Sequence, residues 1–237
     1  LLNKHAIATK TSIANFGFLF GGTNDNLSEI IKLDETKVAG IKLFLGSSTG
    51  NMLVDNEIVI KKIFTNTSLP IAVHCEDESI IKNNLFEYIK AFGDDIPIEK
   101  HSEIRSEDAC YLSSSKAIKL AKETGARLHV FHLSTAKETF LFKNDQPLNS
   151  KQITSEVCVH HLLFSEEDYQ EKGAYIKWNP SIKKASDREE LWKALRDNRI
   201  DILATDHAPH TLEEKQNPYT SAPSGGPLVQ HALIALL

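Results

Sequence analysis

A short apolar run near the end of the chain, Ile202–Ala204, is followed by residues that could do chemistry. Asp206 and His210 supply a carboxylate and an imidazole, side-chain types that bind zinc and similar ions. A carboxylate beside a metal ion is also placed to carry a proton during hydrolysis. Because side chains alternate along a strand, His207 is expected to turn away from Asp206. The stretch therefore predicts a strand end that delivers ligands to the site of a metal-dependent hydrolase.

Polar side chains end other apolar runs in the same way. His74 lies near the end of one run, and the next run contains both His129 and His132. Alternation would put these two on opposite faces, so we expect His132 to enter the site and His129 to pack outward. Several strands that each end in a candidate ligand are typical of an active site at one rim of a barrel. Asn179 follows a further apolar run and is another candidate.

Three other polar residues near strand ends have structural interpretations. His160 and His161 are neighbours in sequence, so at most one of them could face the site from a strand. We expect packing roles for this pair and a structural role for Glu156.

Lys42 lies in the middle of an apolar run, where an unpaired charge is costly to bury. In one interpretation its stem reaches toward solvent or its ammonium pairs with a nearby acid. In the other, the neutral amine carries CO₂ as a carbamate, an anionic ligand whose two oxygens can bridge two cations. From the residues alone the first interpretation is favoured.

Seven predicted strands position these residues, and almost every strand is followed by a predicted helix. Such alternation predicts a parallel sheet, and continuous apolar runs indicate strands covered on both faces. The expected fold class is therefore α/β, a (β/α)₈ TIM-type barrel. An open doubly wound sheet is the rival, but it usually carries a glycine-rich phosphate turn, and no such motif occurs here. The predicted strands are 15–20, 41–45, 70–76, 127–132, 152–159, 174–178 and 201–205.

Helices are expected between these strands at positions that capping signals mark. Residues 24–38, 55–65, 79–92 and 106–124 have helical apolar spacing, and residues 94–104 are expected to be a loop. Three shorter helices are predicted to begin at Thr135, Ser165 and Ser186, the first and last with capping boxes. Glycine turns are expected after two strands, at Gly21-Gly22 and at Gly46-Ser47-Ser48.

The bulk composition excludes several classes of function. The 237 residues carry a net charge of −5 without a basic run, so nucleic acid is not an expected partner. No apolar stretch approaches the roughly 18 residues that span a bilayer, so no membrane association is expected. Three cysteines without paired spacing suit a reduced, cytoplasmic protein. A small-molecule substrate is the expected partner, and the sequence leaves open whether the protein is a homo-oligomer.

The chain starts at Leu1 and ends at Leu237 inside a helix-like run. We therefore expect one metal-dependent hydrolase barrel domain, residues 1–237, truncated at both ends, without its first strand and its C-terminal part.

Six successive motifs resemble the strand-end motifs of dihydroorotase, a cyclic amidohydrolase of the amidohydrolase superfamily. They are Ile-Lys-Leu-Phe-Leu-Gly-Ser-Ser, Val-His-Cys-Glu, His-Val-Phe-His-Leu-Ser-Thr, Ser-Glu-Val-Cys-Val-His-His-Leu, Lys-Trp-Asn-Pro-Ser and Ala-Thr-Asp-His-Ala-Pro-His. The resemblance covers nearly the whole chain in order. It makes the carbamate on Lys42 the favoured interpretation.

The resemblance implies a specific site and reaction. Two zinc ions would be bridged by carboxylated Lys42, with His74 and His132 as ligands of one ion. Asp206 would bind the other ion and act as the general acid–base. Dihydroorotate and water would be converted reversibly to N-carbamoyl-L-aspartate, a step of de novo pyrimidine biosynthesis. The implied substrate-binding residues are Asn179, His210 and Gly225, the last in a segment that contacts substrate through its backbone.

Two departures from the family pattern keep alternatives open. The His-x-His-x-Arg motif of the family's first strand is absent, and Gly22 stands where the family often has a substrate-binding Asn. Hydantoinase, dihydropyrimidinase and allantoinase share the metal core, although His210 suits a substrate carboxylate that hydantoins lack. A non-catalytic assembly protein with this barrel is a second alternative. Residues 211–220 are expected to be a mobile loop beside the site.

Overall fold

The computed structural model describes residues 1–46 and 52–237. Six strands form one parallel sheet, in which each strand pairs with the next in chain order. The strands are β1 (Leu19–Gly21), β2 (Gly40–Phe44), β3 (Ile71–His74), β4 (Leu128–Val130), β5 (Ile153–Cys158) and β6 (Ile202–Ala204). The predicted parallel sheet is therefore confirmed.

Twelve α-helices lie in the described ranges, together with four short 3₁₀ segments. The helices are α1 (Leu2–Thr11), α2 (Leu27–Ile30), α3 (Glu57–Thr65), α4 (Glu78–Phe92), α5 (His101–Ile104), α6 (Glu107–Thr124), α7 (Ala136–Thr139), α8 (Val159–Leu163), α9 (Tyr169–Lys172), α10 (Ala185–Arg196), α11 (Leu212–Lys215) and α12 (Ala232–Leu236). The 3₁₀ segments are Ile98–Lys100, Leu148–Ser150, Glu166–Asp168 and Gly173–Ile176. No helix within these ranges is both long and apolar enough to cross a membrane.

One face of the sheet packs against the helices and forms the main hydrophobic core. The strands contribute alternate apolar residues to this face, which are at most 1% exposed. They are Ile41, Leu43, Ile71, Val73, Leu128, Val130 and Val157. α3, α6 and α10 cover them with residues such as Ile63, Ile118 and Leu191. Because side chains alternate, the residues between these positions all point to the opposite face.

That opposite face carries the polar residues of interest. The register aligns Lys42 with Ala72, Ala72 with His129 and His129 with Thr154. Two residues further along the same strands, Phe44 pairs with His74. A parallel register with a two-residue period therefore assembles polar side chains from four neighbouring strands on one surface.

The two long helices begin and end where the sequence predicts. Asp77 and Ser106 act as N-caps of α4 and α6, and their side chains accept hydrogen bonds from main-chain N–H groups of the first turn. Gly93 and Gly125 follow the last residues of these helices with positive φ angles.

The predicted strand at 174–178 is wrong. Residues 173–176 form a 3₁₀ segment, and β5 pairs directly with β6, so the sheet has no strand between them. Ile176, Lys177 and Trp178 are buried in succession, a pattern that parallel strands such as β3 also show. A short apolar run is compatible with a strand or with a 3₁₀ segment. Here Trp178 packs in a hydrophobic cluster separate from the main core, and this packing favours the 3₁₀ segment.

Other boundaries also differ from expectation. The predicted helix over 24–38 is reduced to the four residues of α2, with Asn26 as its N-cap, and the predicted loop 94–104 contains α5. β1 is shorter than predicted, and Gly21 is its last residue rather than part of a turn. Ser47 and Ser48 of the other predicted turn lie outside the described residues.

The predicted capping boxes are only partly correct. α10 begins after Lys184, whose backbone N–H is accepted by Asp187, so the predicted Ser186 cap is wrong by two residues. Thr135 does cap α7, but Glu138 accepts from the Thr135 and Ser114 hydroxyls rather than from the Thr135 backbone. Ser165 forms a complete capping box with Asp168 ahead of a 3₁₀ segment.

Candidate metal centre and substrate-binding segment

His74 and His132 face each other at the ends of neighbouring strands. The distance from His74 Nδ1 to His132 Nε2 is 3.1 Å, and both side chains are buried. Two nitrogens bound at 2.0–2.1 Å to one tetrahedral zinc ion lie roughly 3.3 Å apart. The observed separation is therefore close to what a shared ion needs.

His132 reaches this position because β4 ends two residues before it. Its φ angle is +37°, in the left-handed region that non-glycine residues seldom adopt. The turn breaks the alternation of the strand, so His129 and His132 both lie on the polar side of the sheet. The prediction that His129 packs outward is wrong for this reason.

His129 and Glu156 form hydrogen bonds that support the bend at His132. His129 Nε2 lies 3.1 Å from Glu156 Oε2, and His129 Nδ1 lies 2.9 Å from Thr154 Oγ1. The backbone N–H of His132 donates to Glu156 Oε1 at 3.4 Å. Glu156 therefore has the structural role expected for it, and that role is to support the bend that carries His132.

Lys42 stacks on aromatic rings of the same surface. Its Nζ lies 3.7 Å from the ring centre of Phe131 and 4.9 Å from that of Phe44. Within the described residues it forms no ion pair, so pairing with a neighbouring acid does not account for its position. Burial lowers the pKa of Lys42 to about 8, against smaller opposing effects of Cys75, Glu156 and other acidic groups.

Asp206 follows β6 and bends toward the same surface. Its φ angle is +44°, another left-handed position. Desolvation raises the pKa of Asp206 above its ordinary value although part of the side chain is exposed, while His74 and Lys42 act in the opposite direction. The structure thus brings the four predicted ligands to one side of the sheet.

The donor set fits a metal ion only in part. The described residues contain no group of three or more His, Cys, Asp or Glu side chains arranged to hold a metal. Lys42, once carboxylated, would add an anionic oxygen ligand, and His74 and His132 already converge. His132 Nδ1 is buried without a hydrogen-bond partner among the described atoms, which leaves the ring held mainly through the nitrogen that faces His74.

Glu76 orients His74, and sequence reasoning did not single it out. Glu76 is fully buried, and its Oε2 lies 2.8 Å from His74 Nε2 and also accepts from Arg105. The neighbouring Arg105 and His74 hold the pKa of Glu76 at about 2 against the opposing effect of burial. An ionised acceptor at Nε2 keeps the proton there and leaves Nδ1 available as a ligand. The available signal was the single acid of the Val-His-Cys-Glu motif, which comes two residues after His74 and so lies on the same face of a strand.

We expect Glu76→Gln to lower the free energy of unfolding by about 3 kcal/mol, because it breaks the buried ion pair that Glu76 forms with Arg105. Chemical denaturation in urea measures this. Glu87→Gln, an exposed change on α4, is the matched control. Equal unfolding midpoints for the two variants would contradict a stabilising role of this ion pair.

A second cluster gathers the predicted substrate-binding residues. Ser224 Oγ donates to Asn179 Oδ1 at 3.1 Å, and His210 Nε2 lies 3.2 Å from the Ser224 carbonyl oxygen. Gly225 has φ +127°, and a Cβ there would lie 2.6 Å from the Ala208 carbonyl oxygen. Only glycine allows the chain to pass this close to the residues that follow Asp206. The structure thus brings Asn179 and His210 together at Ser224, next to Gly225.

The expected mobile loop at 211–220 contains ordered local structure. Thr211 and Glu214 form a complete capping box at the start of α11, and the Lys215 side chain is buried. His207 is exposed, and its Nδ1 accepts from the Val229 backbone N–H at 3.2 Å, which agrees with its expected position away from the ligands. His160 and His161 both lie on α8 and are buried, so strand alternation does not apply to them.

Comparisons with known proteins agree with this architecture. The chain matches no protein-family model. It is 32% identical over 248 aligned residues to a dihydroorotase of Methanosarcina mazei, covering 99% of this chain and 52% of that relative. Its structure matches an L-hydantoinase (dihydropyrimidinase) from Arthrobacter aurescens with a TM-score of 0.90 and 25% identity, over 99% of this chain and 53% of that one. A Saccharomyces cerevisiae dihydroorotase solved with 5-fluoroorotic acid has a TM-score of 0.73 at 18% identity, over 99% of this chain and 64% of that one, a likeness of fold alone.

The sequential parallel strands and these likenesses define part of a (β/α)₈ barrel of the cyclic amidohydrolase kind, which confirms the predicted fold class. Within that class the chain is a relative of dihydroorotases, which it matches at 30–32% identity over most of its length. The chain spans about half the length of the curated relatives it matches.

Proposed function

We propose that residues 1–237 form part of a single barrel domain that hydrolyses cyclic amides, with dihydroorotate and N-carbamoyl-L-aspartate as the reversible pair. The observation that carries this proposal is the facing pair His74 Nδ1 and His132 Nε2, 3.1 Å apart, on the same side of the sheet as Lys42 and Asp206. The likeness to dihydroorotases supports the choice of substrate.

Lys42 is proposed to act as a carbamate. Its neutral Nζ adds to the carbon of CO₂, an N–C bond forms and one proton is released to solvent. The carbamate carries one negative charge shared by its two oxygens and would serve as an anionic zinc ligand, and His74 and His132 would hold one zinc ion. Burial supports this because it lowers the pKa of Lys42 to about 8 and so favours the neutral amine that adds to CO₂.

Asp206 is the proposed proton carrier and a ligand of the second ion. Zinc bound here would polarise the ring amide carbonyl and activate water. Water oxygen adds to the amide carbon, and the Asp206 carboxylate takes one of the two water protons. The C–N bond then breaks as that proton passes to the ring nitrogen, and the new carboxyl group releases the second proton to solvent. Asn179, His210 and the backbone at Gly225 are proposed to hold the substrate, with His210 toward its carboxylate. The left-handed bend at Asp206 supports this role because it directs the carboxylate to the ligand side.

A hydantoinase-type activity is the second candidate. The likeness to the L-hydantoinase, with a TM-score of 0.90 at 25% identity, favours it. The two activities differ in whether the substrate carries a carboxylate. His210 and the Ser224 segment favour the carboxylate-bearing substrate.

The experiment is metal analysis of the full protein together with assays on two substrates. We expect about two zinc ions per chain, hydrolysis of dihydroorotate and much slower hydrolysis of hydantoin. Preference for hydantoin would favour the second candidate. Zero bound metal after purification with zinc present would refute the proposed centre and leave a non-catalytic barrel.

A further inference from the structure

We propose that Lys177 and Lys215 are positioning residues that hold the substrate-binding segment, residues 222–225, in place. Nothing in the sequence patterns marks either lysine as functional. The inference rests on the proposed function for the role of this segment, but the contacts that carry it are independent of any metal.

Side chains hold three consecutive carbonyl oxygens of the segment. Lys177 Nζ donates to the Ala222 carbonyl at 2.6 Å, and Lys215 Nζ donates to the Pro223 carbonyl at 2.9 Å. His210 Nε2 lies 3.2 Å from the Ser224 carbonyl. Every carbonyl from Ala222 to Ser224 is therefore bound by a side chain that comes from elsewhere in the chain.

The backbone of Lys177 holds the same segment from a second direction. The Gly225 N–H donates to the Lys177 carbonyl at 2.9 Å, and Lys215 Nζ reaches that carbonyl at 3.3 Å. The next residue, Gly226, packs so closely that a Cβ would lie 2.4 Å from the Trp178 ring. The segment is therefore fastened to residues 177–178, directly before the candidate substrate residue Asn179.

The two lysines are buried without countercharges. Lys177 is 7% and Lys215 is 6% exposed, and neither forms an ion pair with a described residue. Burial lowers the pKa of each to about 8, with no acidic neighbour opposing it. Burying two ammonium groups is costly, and an apolar residue at these positions would avoid the cost. What an apolar residue could not supply is the several N–H donors that these carbonyls receive.

Fixing this segment should affect substrate binding more than the chemical step. Ser224 lies between Asn179 and His210 in the hydrogen-bonded cluster, so a shift of the segment would displace the substrate-binding groups. Asp206 and the facing histidines sit on strand ends that neither lysine contacts. We therefore expect loss of the lysines to change KM and leave kcat nearly intact.

The test compares Lys215→Met and Lys177→Met in the full protein with its metals. Methionine keeps the unbranched shape of lysine and removes the donors. Lys119→Met is the control, since that side chain is 79% exposed on α6. Hydrogen–deuterium exchange is followed in peptides spanning 222–226, and KM and kcat are measured with dihydroorotate.

We expect faster exchange confined to this region, a KM raised about tenfold and a kcat within about twofold of the parent. Unchanged exchange in residues 222–226, or equal effects on kcat and KM, would overturn the proposal. If the parent has no activity on dihydroorotate, the proposed function fails. The exchange result still tests whether the two lysines hold the segment in place.

A methionine variant that destabilises the whole protein would also exchange faster. Lys177→Arg and Lys215→Arg control for this effect, because they keep the charge and the N–H donors. Slower exchange of the segment in the arginine variants than in the methionine variants supports the proposal. Equal exchange in the two sets overturns it.

Discussion

Lys42→Ala is expected to lose bound metal and at least about a hundredfold of kcat/KM, since even residues that only support metal ligands contribute up to that much. Acetate or propionate should restore part of the activity, because a short carboxylate can occupy the space of the missing carbamate. Burial of Lys42 favours this result, since it lowers the pKa to about 8 and no described carboxylate forms an ion pair with Nζ. Metal content per chain and steady-state kinetics with and without the added acids are the measurements.

Lys42→Arg separates the two interpretations of this residue. Arginine keeps a positive charge over the Phe131 ring but does not form a carbamate. If Lys42 is an ammonium with a structural role, Lys42→Arg should keep its metal and activity. If it is a carbamate, Lys42→Arg should fail like Lys42→Ala. Lys61→Ala, an exposed change on α3, should behave like the parent.

Asp206→Asn is expected to lower kcat by about a hundredfold to ten-thousandfold, the range typical of removing a general acid–base. Asparagine has nearly the same shape, so the left-handed bend at this position, which Asn tolerates well, should persist. Kinetics are measured with zinc in excess and the bound metal is counted, because Asp206 is also a proposed ligand. The loss of kcat should remain after the second zinc ion has been restored.

Asp145→Asn is the matched control, with a carboxylate that is 59% exposed and far along the chain from the strand ends. It should leave kcat within about twofold of the parent, as surface substitutions usually do. Recovery of full activity in Asp206→Asn on adding zinc would show that Asp206 acts as a ligand alone and would remove the proton-carrying role.

The likeness to known cyclic amidohydrolases was visible in the sequence because it depends on local features. Apolar runs in strands and polar residues at their ends predicted a parallel sheet with one functional rim, and β2, β3, β5 and β6 lie where expected. Helical apolar spacing marked the long helices, and the structure adds that Ser106 caps the start of α6 and that Gly125 ends it.

Predictions failed where contacts distant in sequence competed with local preference. The apolar run at 174–178 was compatible with a strand, but packing of Trp178 against His160 and its neighbours holds it outside the sheet. His129 was assigned outward because alternation was extended past Val130, whereas the bend at His132, braced by Glu156, ends that alternation.

The sequence by itself determined which residue types could do chemistry, in which order they occur and that parallel strands would carry them. Only the tertiary structure decided that Asp206 bends toward the ligand side, that Glu76 and Arg105 orient His74, and that Lys177 and Lys215 hold residues 222–225. The physical reason is that a periodic pattern reports the direction of a side chain only while the strand continues. A left-handed residue, a buried countercharge or a lysine bound to a remote carbonyl depends on partners that folding brings together.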